Sequence, residues 1–161
     1  MSLSSHQSAR PKSTTWLTPP EWIKKLGPFD PDPCCPPNMP WKTARCMVSP
    51  PADGLPLPWS GRVWLNPPFG NQAWVWVEKL AQHGNGIALI PARTETKGFY
   101  WTVWYMADAV CFVKGRPHFH HVDGTRAAAN SGAPIALAAY GKENANILIK
   151  ANLGITIRMN K

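Results

Sequence analysis

A short apolar run, Arg62-Val63-Trp64-Leu65, leads straight into Asn66-Pro67-Pro68-Phe69-Gly70, and that junction limits what the chain can become. Two successive prolines fix φ and remove two backbone donors, so a strand that enters them must stop. A helix-like segment follows. The junction therefore reads as strand, stiff turn, helix: the carboxyl end of a strand in an open α/β sheet, where such sheets place their chemistry. The proline carbonyls remain as acceptors beside the side-chain carbonyl of Asn66, and an aromatic ring follows at once. A rigid set of acceptors next to a flat stacking surface suits a planar ligand that carries an amino group.

The rest of the chain supplies the sheet around that junction. Apolar spacing predicts a helix over residues 71–83 with Ala73, Trp76, Val77 and Leu80 on one face, closed by Gly84. Gly86-Ile87-Ala88-Leu89-Ile90 is apolar throughout, as a central strand should be. A helix over 97–107, a strand around Cys111, a polar loop over 122–132, a strand over 134–140, a helix over 143–152 and a strand over 155–159 complete the series. Strands alternating with helices predict a mostly parallel α/β sheet with helices on both faces, extended by a hairpin over 114–119. Upstream, Thr18-Pro19-Pro20-Glu21 reads as a capping box with Thr18 as N-cap, Pro19 at N1 and Glu21 at N3, opening a helix that stops at Gly27. Prolines recur so densely over 36–58 that no regular structure is expected there. That stretch should wrap the surface.

Composition narrows the partners. With 161 residues, 44% of them hydrophobic and nine of them tryptophan, the chain suits one domain with one core, expected over 16–161 after a flexible basic arm over 1–15. The net charge of +8, from 17 Lys+Arg against nine Asp+Glu, favours a polyanionic partner. No apolar run reaches membrane-span length and no signal-peptide core opens the chain, so cytoplasm is the expected location, with no membrane and no obligate protein partner. Cys34, Cys35, Cys46 and Cys111 lack paired C-x-x-C spacing and read as free thiols, Cys111 as a small core residue. The run His118-Phe119-His120-His121 mixes two faces of an alternation and reads as a solvated hairpin or loop, so no metal site is expected.

The turn at Asn66 resembles the Asn/Asp-Pro-Pro-Tyr/Phe motif of methyltransferases that use S-adenosylmethionine and act on exocyclic or amide nitrogens. The likeness extends along the chain in order: Thr18-Pro19, Phe29-Asp30-Pro31-Asp32-Pro33-Cys34, Asp53-Gly54-Leu55, Trp59-x-Gly61, Asn66-Pro67-Pro68-Phe69-Gly70, Ile90-Pro91-Ala92-Arg93-Thr94, and Gly115-Arg116 with Phe119. Over residues 18–140 these blocks resemble the small phage and prophage DNA N6-adenine methyltransferases. The resemblance implies a Rossmann-like methyltransferase sheet shortened at its front. It implies S-adenosylmethionine held by Thr18, Pro19, Asp30, Asp32, Pro33 and Asp53, and double-stranded DNA as partner. Asn66, Pro67, Pro68 and Phe69 would be the catalytic residues, with two acceptors taking the N–H hydrogens of the adenine amino group and Phe69 stacking on the flipped base. Phe69 could alternatively be a core plug.

Two departures stand beside the likeness. No Gly-x-Gly loop follows the first strand, where Cys35-Pro36-Pro37-Asn38-Met39-Pro40 stands instead. No second strand ends in an acidic residue for the cofactor ribose, so either Asp30 or Asp32 would take that role. Nor is there length for a separate recognition domain, which leaves loops to choose the site, with Arg93 and Arg116 as the candidates for phosphate or base contacts. The alternatives are an amino-methyltransferase acting on RNA or on a protein glutamine, and a DNA-binding module without catalysis.

Overall fold

The computed structural model describes residues 15–159. The basic arm expected over 1–15 lies, but for Thr15, outside the described residues. The fold is α/β, with a five-stranded mixed sheet in the order β3-β4-β6-β5-β7 and a separate two-stranded parallel pair, β1 with β2. The strands are β1 (Pro31–Asp32), β2 (Cys46–Met47), β3 (Val63–Leu65), β4 (Gly86–Pro91), β5 (Ala109–Val113), β6 (Ile135–Tyr140) and β7 (Gly154–Arg158). The helices are α1 (Pro20–Leu26), α2 (Ala73–His83), α3 (Lys97–Phe99), which continues as a π-helical segment over Tyr100–Tyr105, and α4 (Lys142–Ala151).

Helices cover both faces. On one face Trp22 and Leu26 of α1 and Ala145, Leu148 and Ala151 of α4 pack against Trp64, Ile87, Leu89, Ala109, Cys111, Ile135, Leu137 and Ala139. On the other, Trp76, Val77 and Leu80 of α2 and Phe99 and Val103 pack against Val63, Leu65, Ala88, Ile90, Val110, Ala136, Ala138 and Tyr140. The alternation along each strand is the period of two that a sheet buried on both faces imposes. The α2 stripe is the expected one: Ala73, Trp76, Val77 and Leu80 are its buried residues, and Gly84 closes the helix at φ 73° with its N–H on Leu80 O at 2.9 Å.

The sheet is not mostly parallel. β3 and β4 pair parallel, but β4 with β6, β5 with β6, and β5 with β7 pair antiparallel. The reason lies in the connections. Every strand pair linked by a helix keeps a common direction: β3 and β4 through α2, β4 and β5 through α3 and its π-helical continuation, β6 and β7 through α4. Within the five-stranded sheet only β5 and β6 are joined without a helix, and β6 returns antiparallel beside β5, whereas β1 and β2, also joined without a helix, run parallel. β6 thus inserts between β4 and β5, and β7 adds on the far side of β5.

Three smaller expectations are also corrected. Within 36–58, where no regular structure is expected, Cys46–Met47 form β2, because the N–H groups of Cys46 and Val48 donate to Asp30 O at 2.8 Å and Asp32 O at 2.9 Å. The capping box is displaced by one residue: Pro19 is the N-cap, Pro20 is the first helical residue, and no side chain caps the helix. Thr18 is 2% exposed and its hydroxyl receives a bond from Asn66 instead. The stop at Gly27 stands, with Gly27 N on Ile23 O at 2.7 Å. The hairpin over 114–119 is absent. β6 and β7 occupy both sides of β5, so no strand edge is left there for a hairpin to join, and Pro117 has no N–H to give. The segment instead passes as a loop whose His120 bridges Leu17 and Arg126.

Candidate functional site

Asn66 stands at the carboxyl end of β3, one residue past Leu65, at an outer strand of the sheet. Its amide Nδ2 donates to Trp16 O at 3.2 Å and to Thr18 Oγ1 at 3.3 Å. The Trp16 carbonyl is an acceptor only, so the carboxamide can be placed only one way round, with nitrogen toward Trp16 and Oδ1 away. Among the described residues no donor bonds Oδ1. The backbone carbonyl of Asn66 accepts the Cys34 thiol at 3.4 Å. Three stretches distant in sequence thus meet around one side chain.

They also line one cavity of about 190 Å³, formed by Thr15 and Trp16, by Cys34 through Pro37 with Pro50, and by Asn66 through Phe69. Pro67 is buried and Pro68 exposed, which is how a double-proline turn ends a buried strand at a surface. Phe69 is 44% exposed. A ring plugging a core would be covered on all sides, so the plug alternative does not fit.

Burial disfavours the thiolate form of both thiols at the cavity. Burial pushes the Cys34 thiol well above its ordinary value, the nearby Asp32 carboxylate adds to this, and the bond to Asn66 only partly offsets it. Cys35, whose Sγ bonds Val48 O at 3.3 Å, is pushed up to about 11, chiefly by burial. Thiol chemistry needs the thiolate, and these surroundings oppose it at both residues. All four cysteines are free. Among the described residues no group of His, Cys, Asp and Glu is arranged to hold a metal ion, and no helix is long and apolar enough to cross a membrane.

The acidic residues of the front half divide by role. Asp32 is 2% exposed, its oxygens engaged by Cys34 N at 3.3 Å and by the Thr43 hydroxyl. Burial raises its carboxyl to about 6 against the lowering effect of those two bonds. Asp30 ties β1 to the start of β3: its N–H donates to Arg62 O at 2.7 Å and its Oδ2 accepts Arg62 N at 2.8 Å. Its Oδ1 meets the exposed Arg45 at 3.4 Å, an ion pair worth little in that setting. Neither carboxylate lines the cavity. Asp53 is exposed, and its Oδ1 accepts Leu55 N at 2.9 Å. It is nevertheless drawn toward the site, because Gly54 lies so tightly on Pro33 that a Cβ there would stand 2.0 Å from Pro33 O. The Asp53-Gly54-Leu55 step and the Pro33-Cys34 turn are therefore one packed unit.

Of the residues singled out in the sequence, the fold brings Asn66, Pro67, Pro68, Phe69 and Thr18 together, with Pro19 buried behind Thr18 and Pro33 beneath Gly54. Arg93 and Arg116 are exposed and stand outside the cavity. Arg93 follows the end of β4 and its carbonyl accepts Thr96 Oγ1 at 2.8 Å; Arg116 Nη1 donates to Gly132 O at 3.3 Å.

Trp16 was not singled out in the sequence. Its contribution is a backbone carbonyl, which carries no side-chain signature. It is held by its neighbour: Leu17 N donates to His120 O at 2.9 Å and His120 N to Leu17 O at 3.0 Å, while the Trp16 and His121 rings lie 5.3 Å apart. The chain matches no protein-family model, no curated protein and no solved structure.

Proposed function

We propose that this protein transfers a methyl group from S-adenosylmethionine to the exocyclic N6 amino group of adenine in double-stranded DNA, on a Rossmann-like sheet shortened at its front. The observation that carries the proposal is the Asn66 carboxamide. Both its amide hydrogens are used on Trp16 O and Thr18 Oγ1, so what it offers a ligand is an acceptor, Oδ1, beside a cavity shared with Pro67, Pro68 and Phe69. An aromatic amine is a poor nucleophile because its lone pair is delocalised into the ring. Acceptors at Asn66 Oδ1 and the Pro67 carbonyl, one for each N–H, favour a pyramidal nitrogen whose lone pair is free to attack. Phe69 offers a π-face to a base taken out of the stack, and base–aromatic stacking returns roughly 1–3 kcal/mol against a flipping cost of a few kcal/mol. The net charge of +8 supports a polyanionic partner.

S-adenosylmethionine would supply the electrophilic methyl group. Thr18, Pro19 and Pro33 are buried and outside the cavity lining, so such a cofactor would rest on Cys34 at the cavity and on Asp53, whose Oδ2 has no bond among the described residues. Asp30 and Asp32 brace β1 and the turn after it. The cavity, at about 190 Å³, is below the roughly 300–1,000 Å³ of sites that bury a drug-sized ligand. It suits one planar group, and a nucleotide-sized cofactor would extend beyond it. That size favours the second reading, a DNA-binding module without catalysis.

The test is Asn66→Ala with labelled S-adenosylmethionine and duplex DNA, structured RNA and a glutamine-bearing protein as acceptors. Wild type should label duplex DNA, and the variant should lose about 100- to 1000-fold in rate while binding cofactor and DNA nearly as before. Near-full activity in the variant would end this mechanism, and labelling of RNA or protein alone would move the substrate. Absence of heat with the cofactor in calorimetry would leave the binding module.

A further inference from the structure

The two outer strands of the sheet are finished differently. Beside β3, the Asp30 main chain and carboxylate occupy Arg62, and β1 packs alongside. β7 stands at the other end of the order, and among the described residues none of its outward backbone groups makes a hydrogen bond.

Which groups face outward follows from the register. Lys114 N donates to Leu153 O and Met159 N to Asp108 O, both at 2.9 Å. Ile155 pairs with Phe112 and Ile157 with Val110. Antiparallel pairs alternate between bonded and non-bonded, so Leu153, Ile155, Ile157 and Met159 turn their N–H and C=O groups toward β5. Gly154, Thr156 and Arg158 turn theirs away. Paired residues share a face, which puts Ile155 and Ile157 beside Val110 and Phe112. Ile155 is nevertheless 74% exposed and Ile157 43%. Edge strands in soluble proteins are normally guarded by prolines, bulges or several charges; β7 has no proline and a single charge, Arg158, at its end.

We propose that β7 is a homodimer interface, in which two copies pair β7 on β7, antiparallel, about a two-fold axis through Thr156. The three outward residues are spaced symmetrically about Thr156. In that register Thr156 meets Thr156 of the second copy and Gly154 meets Arg158 of the second copy, so each such pair can exchange both of its backbone bonds. Arg158 faces a glycine, and no like charges stand opposite one another. Ile155 of each copy faces Ile157 of the other, gathering four isoleucines on one side of the joined sheet. The half-buried Phe112, whose ring lies 6.1 Å from Trp104, continues that apolar surface inward. This self-complementarity selects a second copy over a foreign strand, as an isologous contact requires. The inference is independent of the methyl-transfer reading.

A five-residue strand with its flanking side chains is a small interface, so dimerisation is expected in the micromolar range. Sedimentation of the full chain from about 1 to about 300 μM should show the mass move from monomer to dimer. Ile155→Lys and Ile157→Lys should each raise the dissociation constant at least about tenfold, with a melting temperature unchanged at concentrations where wild type is monomeric, because both side chains are exposed. Amide exchange on the unmodified protein needs no variant. The N–H groups of Gly154, Thr156 and Arg158 should be protected only at high concentration, and those of Ile155 and Ile157 at every concentration. A monomer throughout the range overturns the proposal. So does a dimer that survives both lysines, or one that leaves the three outward amides unprotected.

Discussion

Asp32→Asn should make the protein more stable at neutral pH, and the gain should vanish in acid. Asp32 is 2% exposed, and burial moves its carboxyl from an ordinary 3.8 to about 6. A folded-state value above the unfolded one means that the folded protein binds the proton more tightly. The group's favourable contribution is therefore complete below about pH 4 and is lost as pH rises through about 6. The displacement from 3.8 to about 6 is worth about 3 kcal/mol, or roughly 6–12 °C in melting temperature for a chain of this size. Asparagine keeps the geometry: its Oδ1 can accept Cys34 N and its Nδ2 can donate to the Thr43 hydroxyl, with no charge to bury. Urea unfolding followed by tryptophan fluorescence from about pH 4 to about pH 7.5 should show wild type weakening across that window by about 3 kcal/mol more than the variant. Subtracting the variant removes the exposed Asp123, whose carboxyl is lowered by its bonds to Thr125 and so acts with the opposite sign. Asp32→Ala is the control, since it leaves the Cys34 N–H and the Thr43 hydroxyl without a partner and should destabilise at every pH. If the difference between wild type and Asp32→Asn is flat across the window, the buried carboxylate is not the cause.

Phe69→Ala should leave the urea midpoint within about 0.5 kcal/mol of wild type, as for other exposed truncations, yet abolish the fluorescence rise of 2-aminopurine at a target position. Phe69→Tyr should restore it, and a strongly destabilised alanine variant would contradict the exposed placement of the ring. Gly54→Ala should cost about 1–3 kcal/mol in urea unfolding, because its Cβ would press on Pro33 O at 2.0 Å. An unchanged midpoint would show that the Asp53-Gly54-Leu55 step is not locked to the turn.

What could be read along the chain was what depends on near neighbours. The buried stripe of α2, the apolar β4 and the stops at Gly27 and Gly84 follow from spacing and from glycine's backbone freedom, and the structure places them as expected. Strand direction does not follow from spacing. β6 returns antiparallel beside β5 through a connection without a helix, whereas β1 and β2 run parallel through another, so only the assembled sheet decides. The capping box failed for a similar reason. Thr18 has the right chemistry for an N-cap, but Asn66, 48 residues away, claims its hydroxyl. At the candidate site the Asn66 turn was legible because prolines and an aromatic announce themselves, whereas Trp16 acts through a carbonyl that every residue possesses. Asp32 shows the limit from the other side: an acidic letter cannot say whether its carboxylate faces a ligand or the interior.

The short segment that orients Asn66 has a second attachment. Trp16 aims the carboxamide, and the next residue, Leu17, is bonded in both directions to His120 in the loop between β5 and β6. The loop and the carboxamide are thus two loads on one tether. Whatever grips the loop stiffens the peptide whose carbonyl holds Asn66 in place, and whatever engages Asn66 Oδ1 steadies the loop in return, since coupling between two binding events is reciprocal. A contact made more than fifty residues downstream in sequence would then be felt at the carboxyl end of β3 as alignment, without touching a ligand there.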